Sequence, residues 1–135
     1  MHVLGNMVEA VKPGGLVLDL QVIRPNPIVE AGGREVCEID GEPLFRTADA
    51  ATAAVDALVC AKRLIEQAVD DHDVRKHYAN GAELVADFAD KKRQLPERVV
   101  PGLLALSQPC VVRERCRLRR LQVQCDARHL AAPSR

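Results

Sequence analysis

The turn Lys12-Pro13-Gly14-Gly15, followed by Leu16-Val17-Leu18-Asp19-Leu20-Gln21-Val22-Ile23, constrains the fold more than any other stretch. Pro13 cannot continue a helix, and it fixes φ near the value that opens a turn. Gly14 and Gly15 can adopt the positive φ of a sharp reversal. The apolar run behind them is broken only by Asp19 and Gln21. Such a run predicts a central strand of a parallel sheet, buried on both faces, rather than a half-solvated one. The expected order is helix, tight turn, strand.

Ahead of the turn, Val3, Leu4, Met7, Val8 and Val11 recur at helical spacing, which predicts an amphipathic helix over His2–Val11. Its apolar stripe has no obvious cover: either the helix packs on the following strand in the ordinary way, or the stripe is meant for elements absent from this chain. After the strand, Arg24-Pro25-Asn26-Pro27 ends the ladder, because proline cannot donate to it. Ile28–Gly33 is expected to be a loop with a turn at Gly32-Gly33, and Arg34–Ile39 a short strand. Asp40-Gly41 signals a further turn, with Leu44-Phe45-Arg46 pairing back as a hairpin. The clearest helix runs from Thr47 to about Val69. Thr47 suits the N-cap, and Asp49 suits the first turn. Ala51, Ala54, Val55, Leu58, Val59 and Ile65 lie on one side of it.

Asp70–Asp73 is polar enough to predict a loop, with a short strand over Val74–Tyr78. Asn80-Gly81 marks a turn. A helix then runs from Gly81 or Ala82 to about Lys92, with Leu84, Val85 and Phe88 inward. Pro101 opens a short helix within Val99–Leu106. From Pro109 to Cys125 the pattern is that of a strand, with Arg113, Arg115, Arg117 and Arg119 on one face. The apolar set then moves to Leu121, Val123 and Cys125, which predicts a bulge or a turn between two short strands. Residues 1–125 form the organised portion, and Asp126–Arg135 reads as a disordered tail.

The 135 residues suit a single modest domain. Phe45, Tyr78 and Phe88 are the only aromatics. The core is therefore aliphatic and buries less area per residue, which predicts marginal stability and a need for a partner. A net charge of zero argues against nucleic acid or an anionic membrane surface as partner. No run approaches the roughly 20 apolar residues of a membrane span, and the first residues lack a secretory pattern. Cys37, Cys60, Cys110, Cys116 and Cys125 form an odd set without C-x-x-C spacing. They read as free thiols in a reducing, cytoplasmic setting, and Cys110 and Cys116 are poorly spaced for zinc.

The Lys12-Pro13-Gly14-Gly15 turn and its flanks resemble the segment entering the fifth strand of class I S-adenosylmethionine-dependent methyltransferases. The resemblance extends to the helix from Thr47 and to Pro109–Cys125, which looks like the family's terminal antiparallel strands. It implies an α/β fold: a partial Rossmann-like methyltransferase sheet with a central strand, a crossover helix and antiparallel C-terminal strands. The N-terminal donor-binding half is lacking. The family holds S-adenosylmethionine on a glycine-rich loop after its first strand and on an acidic residue ending its second. Neither is in this sequence, so no donor-binding residue carries over and no cofactor is expected in this chain alone.

Ligands of open α/β sheets sit beyond the carboxyl ends of the strands, which makes Gln21, Arg24 and Asn26 the candidates to touch a methyl acceptor. Asp19 reads as a satisfied polar group at the sheet rather than a base. His72 and His77 lie near Asp70, Asp71 and Asp73, a group that could serve acid–base chemistry but reads more simply as a solvated acidic loop. The row Arg113, Arg115, Arg117 and Arg119 suits phosphates or an acidic partner, or guards a sheet edge, with no aromatic interleaved for base stacking. The expected function is a methyltransferase-like protein, inactive alone, with a second chain or a homo-oligomer covering the N-terminal helix. The alternative is a small non-catalytic α+β module that associates through that helix and the Arg-rich strand.

Overall fold

A computed structural model describes residues 10–124. Its elements are β1 (Leu16–Val22), β2 (Ile28–Ala31), β3 (Arg34–Glu38), α1 (Glu42–Cys60), β4 (Leu64–Tyr78), α2 (Gly81–Asp90), a 3-10 turn (Glu97–Val99), α3 (Val100–Leu104) and β5 (Cys110–Val123). The fold is α/β, with three helices and a mostly antiparallel open sheet. Strand order is β1-β5-β2-β3, and β4 also pairs β5. The helix expected over His2–Val11 and the tail from Asp126 lie outside the described residues, apart from Ala10 and Val11.

The chain divides into two compact units. The first comprises the chain to Val22, Arg46–Asp71 and the chain from Arg117; the second comprises Ile23–Phe45 and His72–Cys116. β4 and β5 contribute a portion to each.

In the first unit, Gly14 takes the positive φ the turn needs, 84°. Its amide donates to the Val123 carbonyl (2.8 Å), and the Val123 amide donates to Gly15 (2.9 Å). β1 is therefore antiparallel to β5, whose far end accepts from the Ile23 amide at Arg115. The Gln124 amide donates to Arg63 at the start of β4, and Asp71 meets Arg117 further along. β4 thus also runs antiparallel to β5. It follows that β1 and β4 are parallel to one another, and α1 joins them as a crossover helix. Val17, Val55, Leu64, Leu121 and Val123 close an all-aliphatic core beneath α1.

The central parallel strand expected at Leu16–Ile23 is not what forms. Among the described residues β5 is the strand partner of β1, so β5 is the central strand and β1 ends the row. Alternate side chains of a strand point to opposite faces. Val17 is 4% exposed beneath α1, whereas Leu16, Leu18 and Leu20 are 45%, 63% and 56% exposed. The sequence is that of a strand covered on both faces, and one face is open.

α1 begins five residues before Thr47. The Asp40 carboxylate accepts from the Glu42 amide (3.0 Å), and the Gly41 carbonyl accepts the first helical bond, from Phe45 (2.8 Å). Asp40-Gly41 is therefore a helix entry rather than a hairpin turn. Pro43 falls in the first turn, where its missing N–H costs nothing. The helix stops at Cys60, nine residues before Val69. Lys62 adopts φ 61°, its amide donates to Val59, and the Arg63 amide donates to Leu58. Paired bonds of this kind around a left-handed residue form a Schellman stop. Ile65 and Val69 accordingly lie in β4, exposed.

The same stop ends α2. Lys92 has φ 56°, with Lys92 bonded to Ala89 and Arg93 to Phe88. A Cβ is strained in this conformation. Lys92→Gly is expected to stabilise the protein by up to about 1 kcal/mol, measured as a raised urea midpoint at unchanged slope.

In the second unit, Ile28–Ala31 is a strand and not a loop. Gly32 (φ 58°) and Gly33 (φ 75°) form the two-residue connection to β3, with Ala31 opposite Arg34. Two consecutive positive φ values are what a type I′ hairpin turn requires. β2 also pairs antiparallel with β5, Val29 opposite Val112. Val29, Ile39, Tyr78, Leu84, Phe88, Leu103 and Val112 are buried together. The Asn80 carboxamide caps α2 by accepting from the Glu83 amide (2.9 Å).

Tyr78 and Asp87 tie β4 to α2. The Tyr78 hydroxyl donates to Asp87 Oδ2 at 2.5 Å, and Lys76 Nζ and Lys91 Nζ reach the same oxygen at 3.1 Å each. The tyrosine hydroxyl foremost, then the ammonium groups, hold the Asp87 carboxyl well below the usual range. Burial, then the bond to Asp87, pushes the Tyr78 hydroxyl above its ordinary value. A depressed carboxylate contributes stability that is present above its ordinary pKa and lost as pH falls through its folded value. A raised tyrosine contributes stability that is lost as pH climbs above the ordinary tyrosine range. Stability should therefore fall at both extremes. Asp87→Asn should flatten the acid limb in urea titrations repeated across pH.

β5 is one continuous strand from Cys110 to Val123, so no turn divides it. Even-numbered Cys110, Val112 and Cys116 are buried in the second unit, and odd-numbered Arg119, Leu121 and Val123 in the first. The change of apolar parity at Arg119-Arg120 follows from which residues each unit buries.

Candidate functional site

After β1 the chain turns through a cis Arg24–Pro25 bond. Asn26 fixes this corner. Its Oδ1 accepts from the Gly41 amide (3.0 Å), and its Nδ2 donates to Glu38 (3.2 Å). The Arg24 guanidinium donates to both oxygens of Glu42 (3.3 Å each) and lies 5.0 Å from the Phe45 ring centroid. Gln21 belongs to the first unit and donates to Asp19 (2.8 Å). Gln21, Arg24 and Asn26 are each engaged in hydrogen bonds within the fold. Asp19 has one oxygen satisfied by Gln21; its Oδ2 is buried with no hydrogen-bond partner.

Of the three, Asn26 lines a groove of about 440 Å³ in the second unit, with Glu35, Glu38, Asp73, Arg113 and Arg115. β3, β4 and β5 supply all of these but Asn26, which lies just before β2. Glu30 and Glu35 face each other directly across β2 and β3, a like-charge pair that destabilises unless compensated. Arg113 compensates it. Its Nε donates to Glu30 (3.0 Å), and Asp73 lies 3.9 Å from its Nη1. Chiefly the Glu30 hydrogen bond, and then the surrounding carboxylates, keep Arg113 more firmly protonated than usual. Arg115 donates to Asp73 at 3.2 Å. A guanidinium has five donors, so both arginines keep capacity for a ligand. The groove thus presents guanidinium donors and carboxylate acceptors together.

The arginine row is matched along its whole length. Arg117 makes a bidentate pair with Asp71 (2.7 and 2.9 Å). Arg119, buried, donates to Glu66 (2.6 Å) and Asp56 (2.9 Å). Burial works against its charge, but these two bonds outweigh it and raise its pKa. The pairing explains why Asp70–Asp73 is not a loop. The acidic run lies within β4 because Arg115 and Arg117 stand opposite Asp73 and Asp71. Alternation along β4 sets His72 on the face opposite its neighbours Asp71 and Asp73. The groove at Asn26 and the row of ion pairs depend on pairing between distant strands, which local reading of the sequence does not reach. Among the described residues, Cys37, Cys60, Cys110 and Cys116 are free thiols, and no helix is long and apolar enough to cross a membrane.

Among the described residues, no glycine is placed as a methyl-donor site needs. Such a site needs a glycine between strand and helix, left open so that the backbone can approach the ligand. Two connections here run from strand to helix, and each glycine is already covered by protein. A Cβ at Gly41 would lie 2.6 Å from the Phe45 ring, and one at Gly81 would lie 1.7 Å from the Leu103 carbonyl oxygen. Gly32-Gly33 is a hairpin turn. Comparison with protein-family models, curated proteins and solved structures gives no match.

Proposed function

We propose that these residues are the acceptor-side portion of a methyltransferase-like α/β fold without an independent site for S-adenosylmethionine. The observation that carries the reading is the arrangement around β5. The strand behind Lys12-Pro13-Gly14-Gly15 lies antiparallel beside the last strand, and α1 crosses from it to β4. An antiparallel last strand and a crossover helix are what the resemblance implied. The uncovered leucine face of β1 adds support, because its sequence is that of a strand enclosed on both sides. In this reading the groove at Asn26, Arg115 and Glu35 contributes binding and orientation of a polar acceptor.

The coding sequence upstream of Met1 tests the proposal. An in-frame pattern of strand, Gly-x-Gly and helix is the expected result, and a chain extended to include it should bind S-adenosylmethionine. An upstream frame without such a pattern, with no donor binding in any extended chain, argues for an interaction module instead.

A further inference from the structure

We propose that the groove at Asn26 takes a free amino acid with a cationic side chain, of the lysine or arginine type. Strand pairing sets the groove's lining in a row. Ile28 on β2 stands directly opposite Arg113 on β5 and directly opposite Glu38 on β3. Residues directly opposite across an antiparallel pair share a face of the sheet. The row therefore reads guanidinium, apolar side chain, carboxylate, and all three line the groove within the second unit. Neighbouring strands lie about 4.8 Å apart, so β5 and β3 are about 10 Å apart across β2. A ligand that meets both ends of the row carries its opposite charges at the two ends of an apolar stem.

The bonds already made within the groove decide what remains for a ligand. Arg113 donates through Nε to Glu30, and Arg115 through Nη1 to Asp73. Each bond uses one N–H of a five-donor group, so both guanidiniums can still donate to a ligand carboxylate. Asp73 Oδ2 lies 3.9 Å from Arg113 and 3.8 Å from Arg75, ion pairs beyond hydrogen-bond length. That oxygen can accept from an α-ammonium beside the carboxylate. Glu30 and Asp73 match the two arginines, which leaves Glu35 and Glu38 on β3 in excess. Glu38 accepts from Asn26 through Oε1, and Glu35 faces the like charge of Glu30 across the strands. The excess charge is negative and sits at the β3 end, where a side-chain cation belongs. Ile28 lies under the stem, as apolar surface does under the four-carbon chain of a lysine. That the bound amino acid accepts a methyl group rests on the reading given under Proposed function; its binding does not.

Calorimetric titration of L-lysine and of L-arginine into the purified full chain at low salt, without S-adenosylmethionine, tests it. Saturable binding is expected. Norleucine, which lacks the side-chain cation, and cadaverine, which lacks the carboxylate, should each bind at least about tenfold more weakly than lysine. Glu35→Gln should weaken lysine binding at least about tenfold and leave norleucine unaffected. The same change removes the repulsion with Glu30, so its urea midpoint should not fall, which separates lost binding from lost folding. Absence of binding by either amino acid at millimolar concentration overturns the proposal. So does norleucine binding as tightly as lysine, or a lysine affinity unchanged by Glu35→Gln. An upstream frame without a donor motif would overturn the methyl-transfer reading and leave the amino-acid binding intact.

Discussion

Gly81→Ala should lower the stability of the protein by about 3 kcal/mol, the upper part of the range for forced overpacking. The added methyl would sit 1.7 Å from the carbonyl oxygen of Leu103 and 2.6 Å from its carbon. Backbone cannot rotate aside as a side chain can. The contact is also fixed from the other direction, because the Gly81 amide donates to the Leu106 carbonyl at 2.9 Å. Gly81 thus lies against the backbone at Leu103, and its requirement is steric, not conformational. Gly102→Ala provides the control. Nothing lies within 4 Å of its added Cβ, so that change should be neutral or stabilising by up to about 1 kcal/mol. Urea unfolding of both variants separates a steric requirement from a general intolerance of the helical segment.

Phe88→Ala should cost about 3–5 kcal/mol, the usual range for truncating a buried phenylalanine. The ring is 1% exposed at the centre of the second unit's core, beside Leu84, Leu103 and Val112. A chain with three aromatics has no equivalent ring to rearrange into the space. The ring also supports Arg93, whose guanidinium lies 4.5 Å from its centroid and pairs with Glu114 at 2.6 Å. Removing the ring therefore loosens an ion pair as well as leaving a cavity. Phe88→Leu, which keeps most of the volume, should cost only about 1 kcal/mol. A loss for Phe88→Ala as small as that for Phe88→Leu would mean that the site collapses freely, contrary to the packing described.

Elements with a strong local pattern were legible in the sequence. The turn at Gly14, the strand behind it, α2 with Leu84 and Phe88 inward, and the strand over Pro109–Cys125 follow from periodicity and punctuation alone. Boundaries governed by uncommon backbone choices were not. Both Schellman stops use lysine where glycine is the ordinary signal, so the end of α1 at Cys60 carried no visible mark. The entry of α1 was misplaced because Asp40-Gly41 serves a helix as readily as a hairpin. Asp70–Asp73 looked like a loop because a polar run lacks apolar alternation; its strand character depends on arginines more than forty residues away in sequence. The candidate site divides in the same way. Asn26, read from its place after β1, lines the groove, while Glu35, Asp73 and Arg115 reach it through the pairing of β3, β4 and β5.

β1 shows how a sequence can describe an environment that its own chain does not supply. Its apolar residues on both faces predict double cover, and the structure covers only the face of Val17. The reading of the chain as one portion of a methyltransferase-like fold rests on that mismatch together with the order of strands around β5. The measurement that tests it most directly is calorimetric titration of S-adenosylmethionine into the purified chain, once circular dichroism shows that it is folded. The account predicts no binding heat, since Gly41 and Gly81 are covered by protein and no glycine-rich loop stands open between strand and helix. Binding at micromolar strength would contradict it, because the chain would then build a donor site from its own residues.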